Sequence, residues 1–466
     1  MTPDDVRAAA EQLVQFHEHF APLFGKEPAQ IHAYDYIKGL MVCPERKSVE
    51  PIALHVGHGD VSGLQKFLGA GPWSHEDVMD EAQALFADEL APSAVGSPVG
   101  VVGVIDESAF TKKGAHSAGV ARQHNGRLGK EDNCQVGVFL IAVTPAGSAL
   151  LDHRLFLPES WCEATTEAKD RRARAHVPDD LEFRTKPQIA AELVRGVAVL
   201  DQVQLDWIVA DDEYGRAGHF LDELESLERR YVLDVPVTTA VWTADPAECI
   251  PAYSGRGRKP TAPARDAVRT VGALAAELPA GAWKALQVRE GALGPLVFEF
   301  AAVRVWGMRH RKPGPPAWLL IRRSLEKEPE LRYYISNADA ETPLATLALV
   351  ACTRCQVEEF LEDCKSYLGM AQYETRSWIG WHHHMTLVAL AHLFGILVRR
   401  RLQRDVPELT LDRTVRLLEA ALEEPELKLV RAIALVDYHV RRNEVARRSH
   451  AKTWRAKHRG FRFLRL

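Results

Sequence analysis

Three acidic residues in this sequence occupy positions that suggest metal chemistry. Asp106 follows the apolar run Val101–Ile105, and Asp211 follows the apolar run Trp207–Ala210. Short apolar runs of this kind are typical of buried strands, so each strand is expected to end at its aspartate, at the edge of a sheet. Glu358 lies far downstream in a stretch with helical spacing. Carboxylates on separate elements of one α/β domain can converge on divalent metal ions, and such clusters cut and join phosphodiesters.

A basic spacing surrounds the third acid. Arg354 lies four residues before Glu358, and Lys365 lies seven residues after it. On the single helix that we predict over Pro343–Leu368, these three residues fall near one face, where both cations could hold a DNA backbone beside the metal. A ladder of surface ion pairs is the alternative. Glu374 is the rival for the third acid, and the flanking basic residues favour Glu358.

Composition and charge set the broad class. The chain has 466 residues and a net charge of -5, which argues against a uniformly basic nucleic-acid protein. Its length predicts two to four domains. No apolar run reaches the ~18–20 residues of a membrane span, and the N-terminus lacks the pattern of a signal peptide, so we expect a cytoplasmic protein. The seven cysteines are irregularly spaced, which suits reduced thiols.

The charge is unevenly distributed. The segment from His439 to Leu466 carries ten Lys and Arg residues against one acid, Glu444. A basic end on an acidic chain is an electrostatic footprint for phosphates. The alternative is a solvated tail without a fixed partner, which the aromatic residues Trp454 and Phe461 argue against.

The order of elements predicts a domain organisation. Strand-like runs and a good helix precede a further alternation of strand and helix, which is the pattern of an α/β, RNase H-like fold. The second and third strands form a hairpin around Pro145–Gly147. We expect five parts: a helical N-terminal region at 1–95, the first part of the α/β domain at 96–234, a β-rich insertion at 235–340, the final part of the α/β domain at 341–395, and a helical basic region at 396–466.

Basic residues outside the acidic positions are expected to face DNA. Phosphate contacts of this kind position DNA without reading its sequence. In the insertion, the stretch Gly255–Pro260 resembles an arginine arm that enters a narrow minor groove, and a flexible loop is the alternative. The expected DNA-binding residues are Lys112, Lys113, Arg122, Lys130, Arg256, Arg258, Lys259, Arg354, Lys365 and Arg376.

Two further patterns invite a metal interpretation that the spacing does not favour. Cys352 and Cys355 form a CxxC motif, but no second pair follows, and structural zinc needs four ligands. The three consecutive histidines His382–His384 point in different directions on a helix. Trp378 and Trp381 flank them and are expected to pack that helix onto the core.

Longer stretches of the sequence resemble a known family. They include IDESAFTKKGAHSAGVARQHNGRLGKEDNCQVGVFL, RLFLPESW, FRTKPQIAAELV, VADDEYGR and YETRSWIGWHHHMTLVALAHLF, and together they span roughly residues 36–395. The chain looks like a bacterial insertion-sequence transposase of the DDE class, with a retroviral-integrase-like RNase H fold. Asp211 rather than Asp212 matches the Ala-Asp-x-x-Tyr-Gly pattern of that family. A related branch carries a Tyr-x2-Arg-x3-Glu-x6-Lys signature, in which Ala351 replaces the tyrosine here.

The resemblance implies a mechanism and partners. Asp106, Asp211 and Glu358 would hold two Mg²⁺ or Mn²⁺ ions, and the enzyme would cleave at terminal inverted repeats and join the 3′-OH ends to target DNA. Two ends must be held together, which implies a homodimer. An aromatic residue in the insertion can stack on a flipped base in relatives. Trp242, Trp306 and Trp318 are the candidates, and packing in the core is the favoured alternative for each. A non-cleaving DNA-binding protein, or a nuclease without strand transfer, is the alternative.

Overall fold

The computed structural model describes most of the chain. The described residues are 1–43, 46–56, 60–126, 128–255, 259–261, 263–264, 267–291, 294–423, 427–457 and 464–465. They pack as two compact units: unit 1 comprises Met1–Ser97, Ile105–Gln204 and Gln356–Arg442, and unit 2 comprises Pro98–Val104, Leu205–Cys355 and Asn443–Leu466. The fold is mixed α/β, as the sequence predicted. No helix among these described residues is long and apolar enough to cross a membrane.

Helices and strands follow one another in a mixed order along the chain. The helices are α1 (Pro3–Phe20), α2 (Glu27–Val42), α3 (Val49–His55), α4 (Val61–Ala70), α5 (His75–Glu89), α6 (Glu159–Cys162), α7 (Thr166–Arg174), α8 (Lys186–Leu200), α9 (Asp212–Gly215), α10 (Gly218–Ser226), α11 (Val271–Glu277), α12 (Leu344–Thr353), α13 (Cys355–Tyr367), α14 (Trp378–Leu402), α15 (Leu411–Glu423) and α16 (Leu427–Lys457). The strands are β1 (Val102–Thr111), β2 (Ala121–Asn125), β3 (Lys130–Thr144), β4 (Gly147–Leu155), β5 (Trp207–Ala210), β6 (Arg230–Val235), β7 (Ala240–Trp242), β8 (Val268–Thr270), β9 (Lys284–Gly291), β10 (Gly294–Arg309), β11 (Lys312–Arg323), β12 (Leu331–Ser336) and β13 (Leu464–Arg465).

Unit 1 is built around the long helix α14. Nearly all residues of α14 are buried, because it packs against α1, α2, α4, α5 and strand β4. Its first turn is capped by Ser377, whose hydroxyl accepts the N–H of Gly380 and donates to the carbonyl of Gly69. A helix that is apolar on every side is stable only when it is enclosed in this way.

The strands of unit 1 form an antiparallel meander. β2 pairs with β3, and β3 pairs with β4 through a tight turn in which Thr144 lies opposite Gly147. This hairpin confirms the one predicted around Pro145–Gly147. The later residues of β1 lie beside β3, where the N–H of Lys112 donates to the carbonyl of Asn133 at 2.8 Å.

Unit 2 is a mixed sheet with a helix on it. The first residues of β1 pair in parallel with β5, and β5 pairs in parallel with β6. The sheet continues from β6 through β12, β11, β10 and β9, each antiparallel to its neighbour, and α12 packs on it. The turn between β10 and β11 is formed by His310 and Arg311, both with positive φ.

Two sequence predictions about element ends are wrong. β1 was expected to end at Asp106, but it continues to Thr111, because its later residues join β3 in unit 1. The single helix expected over Pro343–Leu368 is divided at Arg354, where α12 ends and α13 begins. Arg354 itself has helical backbone angles, so the periodicity of the sequence does not mark the break.

Candidate active site

Asp211 lies where β5 gives way to α9. Its backbone is extended, and its carboxylate caps α9 by accepting the N–H of Glu213 at 2.9 Å. The four residues of β5 before it are all buried, as expected for a strand that carries an acid to the end of a sheet. Burial raises the pKa of Asp211, and the nearby Arg354 guanidinium opposes that increase. A further cation nearby would stabilise the ionised form of this carboxylate.

Asp212 differs from Asp211 in its partner and its location. It is the first residue of α9 and forms an ion pair with Arg216, with 3.5 Å between Oδ2 and Nη2. Its carboxylate is therefore engaged on the exposed side of the helix. This geometry supports Asp211 as the functional acid of the pair.

Asp106 is placed by the register of β1 and β5. In unit 2, Val104 of β1 pairs in parallel with Val209 of β5. Asp106 follows Val104 by two residues, and Asp211 follows Val209 by two residues. Asp106 is half-buried, and its Oδ1 accepts the N–H of Glu107 at 2.8 Å. Asp106 and Asp211 are thus each two residues further along the chain than one member of the Val104–Val209 pair.

The surroundings of Asp106 in unit 1 are charged and aromatic. Glu107 forms an ion pair with Lys186, with 2.5 Å between Oε2 and Nζ. Phe110 lies four residues after Asp106 in β1, on the same side of the strand by the alternation of side chains. The ammonium of Lys365 lies 5.8 Å from the centre of the Phe110 ring. This contact brings α13 beside β1.

Glu358 lies in the first turn of α13 and is exposed. Lys365 is seven residues further on, close to two helical turns, so the two side chains lie near one face. Because Lys365 contacts Phe110, that face of α13 is the one next to β1. The helix N-terminus also favours a carboxylate at this position.

Glu374 is engaged elsewhere in unit 1. It lies in the non-helical segment between α13 and α14, where its Oε1 is 2.8 Å from Nη1 of Arg46. Arg46 also donates to the carbonyl of Gln372 at 3.2 Å. This local pairing supports Glu358 rather than Glu374 as the third acid.

The expected DNA-binding residues fall into three groups. Lys113, Arg122, Lys130, Lys259 and Arg376 are exposed and available for phosphates. Arg354, Lys365 and Lys112 are half-buried. Arg256 and Arg258 lie outside the described residues.

Lys112 has the most unusual environment of these cations. Its ammonium lies 3.4 Å from the centre of the buried Tyr373 ring. Burial lowers the pKa of Lys112 to about 8, helped by the Arg46 charge and opposed by Glu374. Lys112 is therefore a cation held inside unit 1, and its exposed neighbour Lys113 is the better phosphate contact.

The three consecutive histidines are bound to protein groups within the core of unit 1. His382 contacts the carbonyl of Trp378 at 2.9 Å, and His384 contacts the Tyr36 hydroxyl at 2.9 Å. His383 lies between the carbonyls of Leu68 and Trp73 and stacks on the Trp73 ring. Burial lowers the pKa of all three histidines.

A metal site formed by protein side chains alone is not evident. Among the described residues, no three His, Cys, Asp or Glu side chains form a group that could hold a metal ion. Asp106, Asp211 and Glu358 therefore stay a prediction. Magnesium commonly takes one or two protein carboxylates and completes its shell with phosphate and water, so a substrate can supply the missing ligands.

One charged residue near Asp211 was missed from the sequence. Asp234 lies in β6, is almost fully buried, and has an oxygen 3.9 Å from Arg354. Burial raises the pKa of Asp234 to about 6, and the nearby arginines oppose that increase. The signal was a charged residue inside the apolar run Tyr231–Val235.

Comparison with known proteins identifies a family and a relative. A family model described as DDE superfamily endonuclease matches residues 19–295, which is more than half of the chain. The matched residues include Asp106 and Asp211 but end before Glu358. A relative from Microchaete diplosiphon, described as a probable transposase for insertion sequence element IS701, is 29% identical over 192 residues. That match covers 41% of this chain and 45% of the relative, less than half of either.

Proposed function

The chain belongs to the DDE superfamily endonucleases, and from this premise we propose that it is a transposase that cuts and joins DNA. It would bind terminal inverted repeats, cleave at the element end, and join the resulting 3′-OH to target DNA. The relative described as a probable insertion-sequence transposase supports the transposase activity.

The RNase H-like nature of the catalytic core is part of the proposal. In unit 1 the later part of β1 lies beside β3, which forms a hairpin with β4. In unit 2 the start of β1 lies parallel to β5, and β5 lies parallel to β6. An antiparallel hairpin followed by parallel strands that alternate with α8 and α10 supports such a core.

One observation carries the proposal furthest. Val104 pairs with Val209, and each is followed two residues later by an aspartate. Both aspartates fall inside the stretch that the family model matches. Glu358 is proposed as the third acid because of its spacing from Arg354 and Lys365.

The residues fit a divalent metal by the chemistry of their donors. Mg²⁺ and Mn²⁺ prefer carboxylate oxygens, and Asp106, Asp211 and Glu358 supply them. The raised pKa of Asp211 reflects burial together with the charges of Asp212 and Glu213, a setting that a cation would stabilise. Two bound ions would activate the attacking oxygen and stabilise the leaving one.

The basic residues would hold and align the DNA backbone. Arg354 and Lys365 would contact phosphates next to the acids, and the exposed Lys113, Arg122, Lys130 and Arg376 would extend this contact in unit 1. The arm that contains Arg256, Arg258 and Lys259 would enter a minor groove. With the backbone held, catalysis rests on positioning and charge neutralisation.

The proposal extends to partners and location. Two element ends must be held together during joining, so the working form would be a homodimer on DNA. The site of action would be the bacterial cytoplasm, in association with the nucleoid.

A strand-transfer assay tests the proposal. Purified protein is incubated with Mg²⁺ or Mn²⁺ and labelled DNA that carries the element's own ends. Asp106→Ala, Asp211→Ala and Glu358→Ala are assayed beside the wild type. We expect cleavage and joining that need the metal and that all three variants lose.

Other outcomes would identify a different function. Binding without cleavage by the wild type would indicate a DNA-binding protein that no longer cuts. Cleavage without joining would indicate a nuclease. Activity that persists in Asp211→Ala but is lost in Asp212→Ala would move the second acid by one residue.

A further inference from the structure

A buried carboxylate in unit 2 has no role in the function proposed so far. Asp234 is 8% exposed, and its Oδ1 has no hydrogen-bond partner among the described residues. Its Oδ2 lies 3.9 Å from Nη1 of Arg354. Removing one partner from a buried pair leaves an uncompensated charge, so a pair of this kind is retained either for packing or for a function.

The position of Asp234 relates it to the proposed acid Asp211. Ala210 of β5 pairs in parallel with Leu233 of β6, and each is followed directly by an aspartate. Arg354 lowers the pKa of both carboxylates, so its guanidinium lies within reach of each charge. Asp211 and Asp234 thus flank one arginine at the same level of the sheet.

The backbone around Asp234 is fixed. A Cβ on Gly215 would lie 2.0 Å from the Asp234 carbonyl oxygen, so α9 and β6 are in close contact there. On the other side, Asp234 pairs with Tyr334 of β12. The backbone of Asp234 is therefore held on both sides. This restricts the positions in which its carboxylate can pair with the Arg354 guanidinium.

We propose that Asp234 is a positioning residue that holds the Arg354 guanidinium beside Asp211, where it meets the phosphate that is cut. This inference rests on the proposed function. Asp234 itself touches neither metal nor DNA. It acts through Arg354, whose guanidinium lies 3.9 Å from the Asp234 carboxylate, so that this pair restricts where the arginine charge can lie.

A double-mutant cycle tests this role. The variants are Asp234→Asn, Arg354→Gln and the double variant, with DNA cleavage rate and DNA affinity measured for each. Substitutions of residues that orient a functional side chain typically cost about 10–100-fold in activity, and we expect that loss for Asp234→Asn. We expect the double variant to be no slower than Arg354→Gln, because Asp234 has nothing left to position. The melting temperature of each variant is measured beside the rates, because removing Asp234 leaves the Arg354 charge uncompensated and lowers stability as well.

A surface ion pair elsewhere in unit 2 provides the control. The exposed Asp222 of α10 contacts Arg309 of β10, with 3.0 Å between Oδ1 and Nη1. Asp222→Asn should leave cleavage within about twofold of the wild type, as surface changes usually do. If the losses of Asp234→Asn and Arg354→Gln multiply in the double variant, Asp234 is a structural residue and the inference is overturned. If the wild type binds DNA but cuts none, the proposed function fails. The DNA affinities of the two single variants and the double variant then still decide whether Asp234 acts through Arg354.

Discussion

Each candidate acid is distinguished by the groups that it already contacts. Asp211 caps a helix with one oxygen, whereas Asp212 is paired with Arg216 and Glu374 with Arg46. An acid that is committed to an exposed ion pair has less reason to bind a metal. At the residue scale, the ion-pair partners distinguish Asp212 from its neighbour Asp211. They also count against Glu374 as a metal ligand.

The two rivals for the third acid are expected to respond differently to removal. Glu358→Ala should lower cleavage by about 10³-fold, since metal-ion stabilisation of a transition state is worth several kcal/mol. Glu374→Ala removes only an exposed ion pair, worth about 0–1 kcal/mol of stability, and should leave cleavage within about fivefold. Rates at saturating metal are compared. A large loss in Glu374→Ala with an active Glu358→Ala would reverse the assignment.

The buried Lys112 predicts a dependence of stability on pH. Its pKa falls from 10.5 to about 8 on folding, so the unfolded chain binds more protons between those values. Stability of the wild type should therefore rise as the pH increases from about 8 to about 10.5. Lys112→Met should raise the free energy of unfolding at pH 7 by about 1–2 kcal/mol, because loss of the Tyr373 ring contact offsets part of the gain.

Urea unfolding at pH 7 and pH 10.5 measures this effect. The gain in Lys112→Met should shrink at the higher pH, where the wild-type lysine is neutral in the folded state and half neutral in the unfolded state. Lys113→Met is the matched control, since that side chain is exposed, and it should change stability little at either pH. An equal gain at both pH values would mean that burial of the charge is not the cause.

At the scale of elements, the local sequence pattern predicted the features that depend on neighbouring residues in the chain. The apolar run of β5 and the hairpin between β3 and β4 were found because burial and turn residues determine them locally. The length of β1 was wrong because its later residues are stabilised by β3, a partner distant in sequence. The break at Arg354 was missed because helical spacing continues through it.

Close packing of α9 on β6 gives a test at this scale. Gly215→Ala would place a methyl group 2.0 Å from the Asp234 carbonyl oxygen, and a backbone atom cannot move aside as a side chain can. We expect a loss of about 1–3 kcal/mol in stability from this overpacking. Cleavage should fall with it, since Asp211 caps the N-terminus of α9. Gly281→Ala, with open space around the added methyl, is the matched control and should leave both unchanged.

At the scale of the whole molecule, the sequence predicts candidate acids but not the residues that surround them. Asp106 and Asp211 were predicted because each follows an apolar run, and Glu358 was predicted from the spacing of the basic residues around it. Asp234 could not be found in this way, because its importance comes from Arg354, more than one hundred residues away. Long-range pairs of this kind depend on the folded chain, and no local pattern encodes them.

Metal and DNA are therefore expected to bind as coupled ligands. The described residues hold no group of three donors for a metal, so phosphate oxygens should complete the site. Mn²⁺ alone should bind weakly, and DNA should tighten it by about tenfold or more, within the usual range of coupling between ligands. Coupling is reciprocal, so Mn²⁺ should strengthen DNA affinity by the same factor. Calorimetry for Mn²⁺ and fluorescence anisotropy for DNA measure the two sides, and Asp106→Ala should abolish the coupling while leaving metal-free DNA binding intact. Tight Mn²⁺ binding without DNA would instead require a complete protein site.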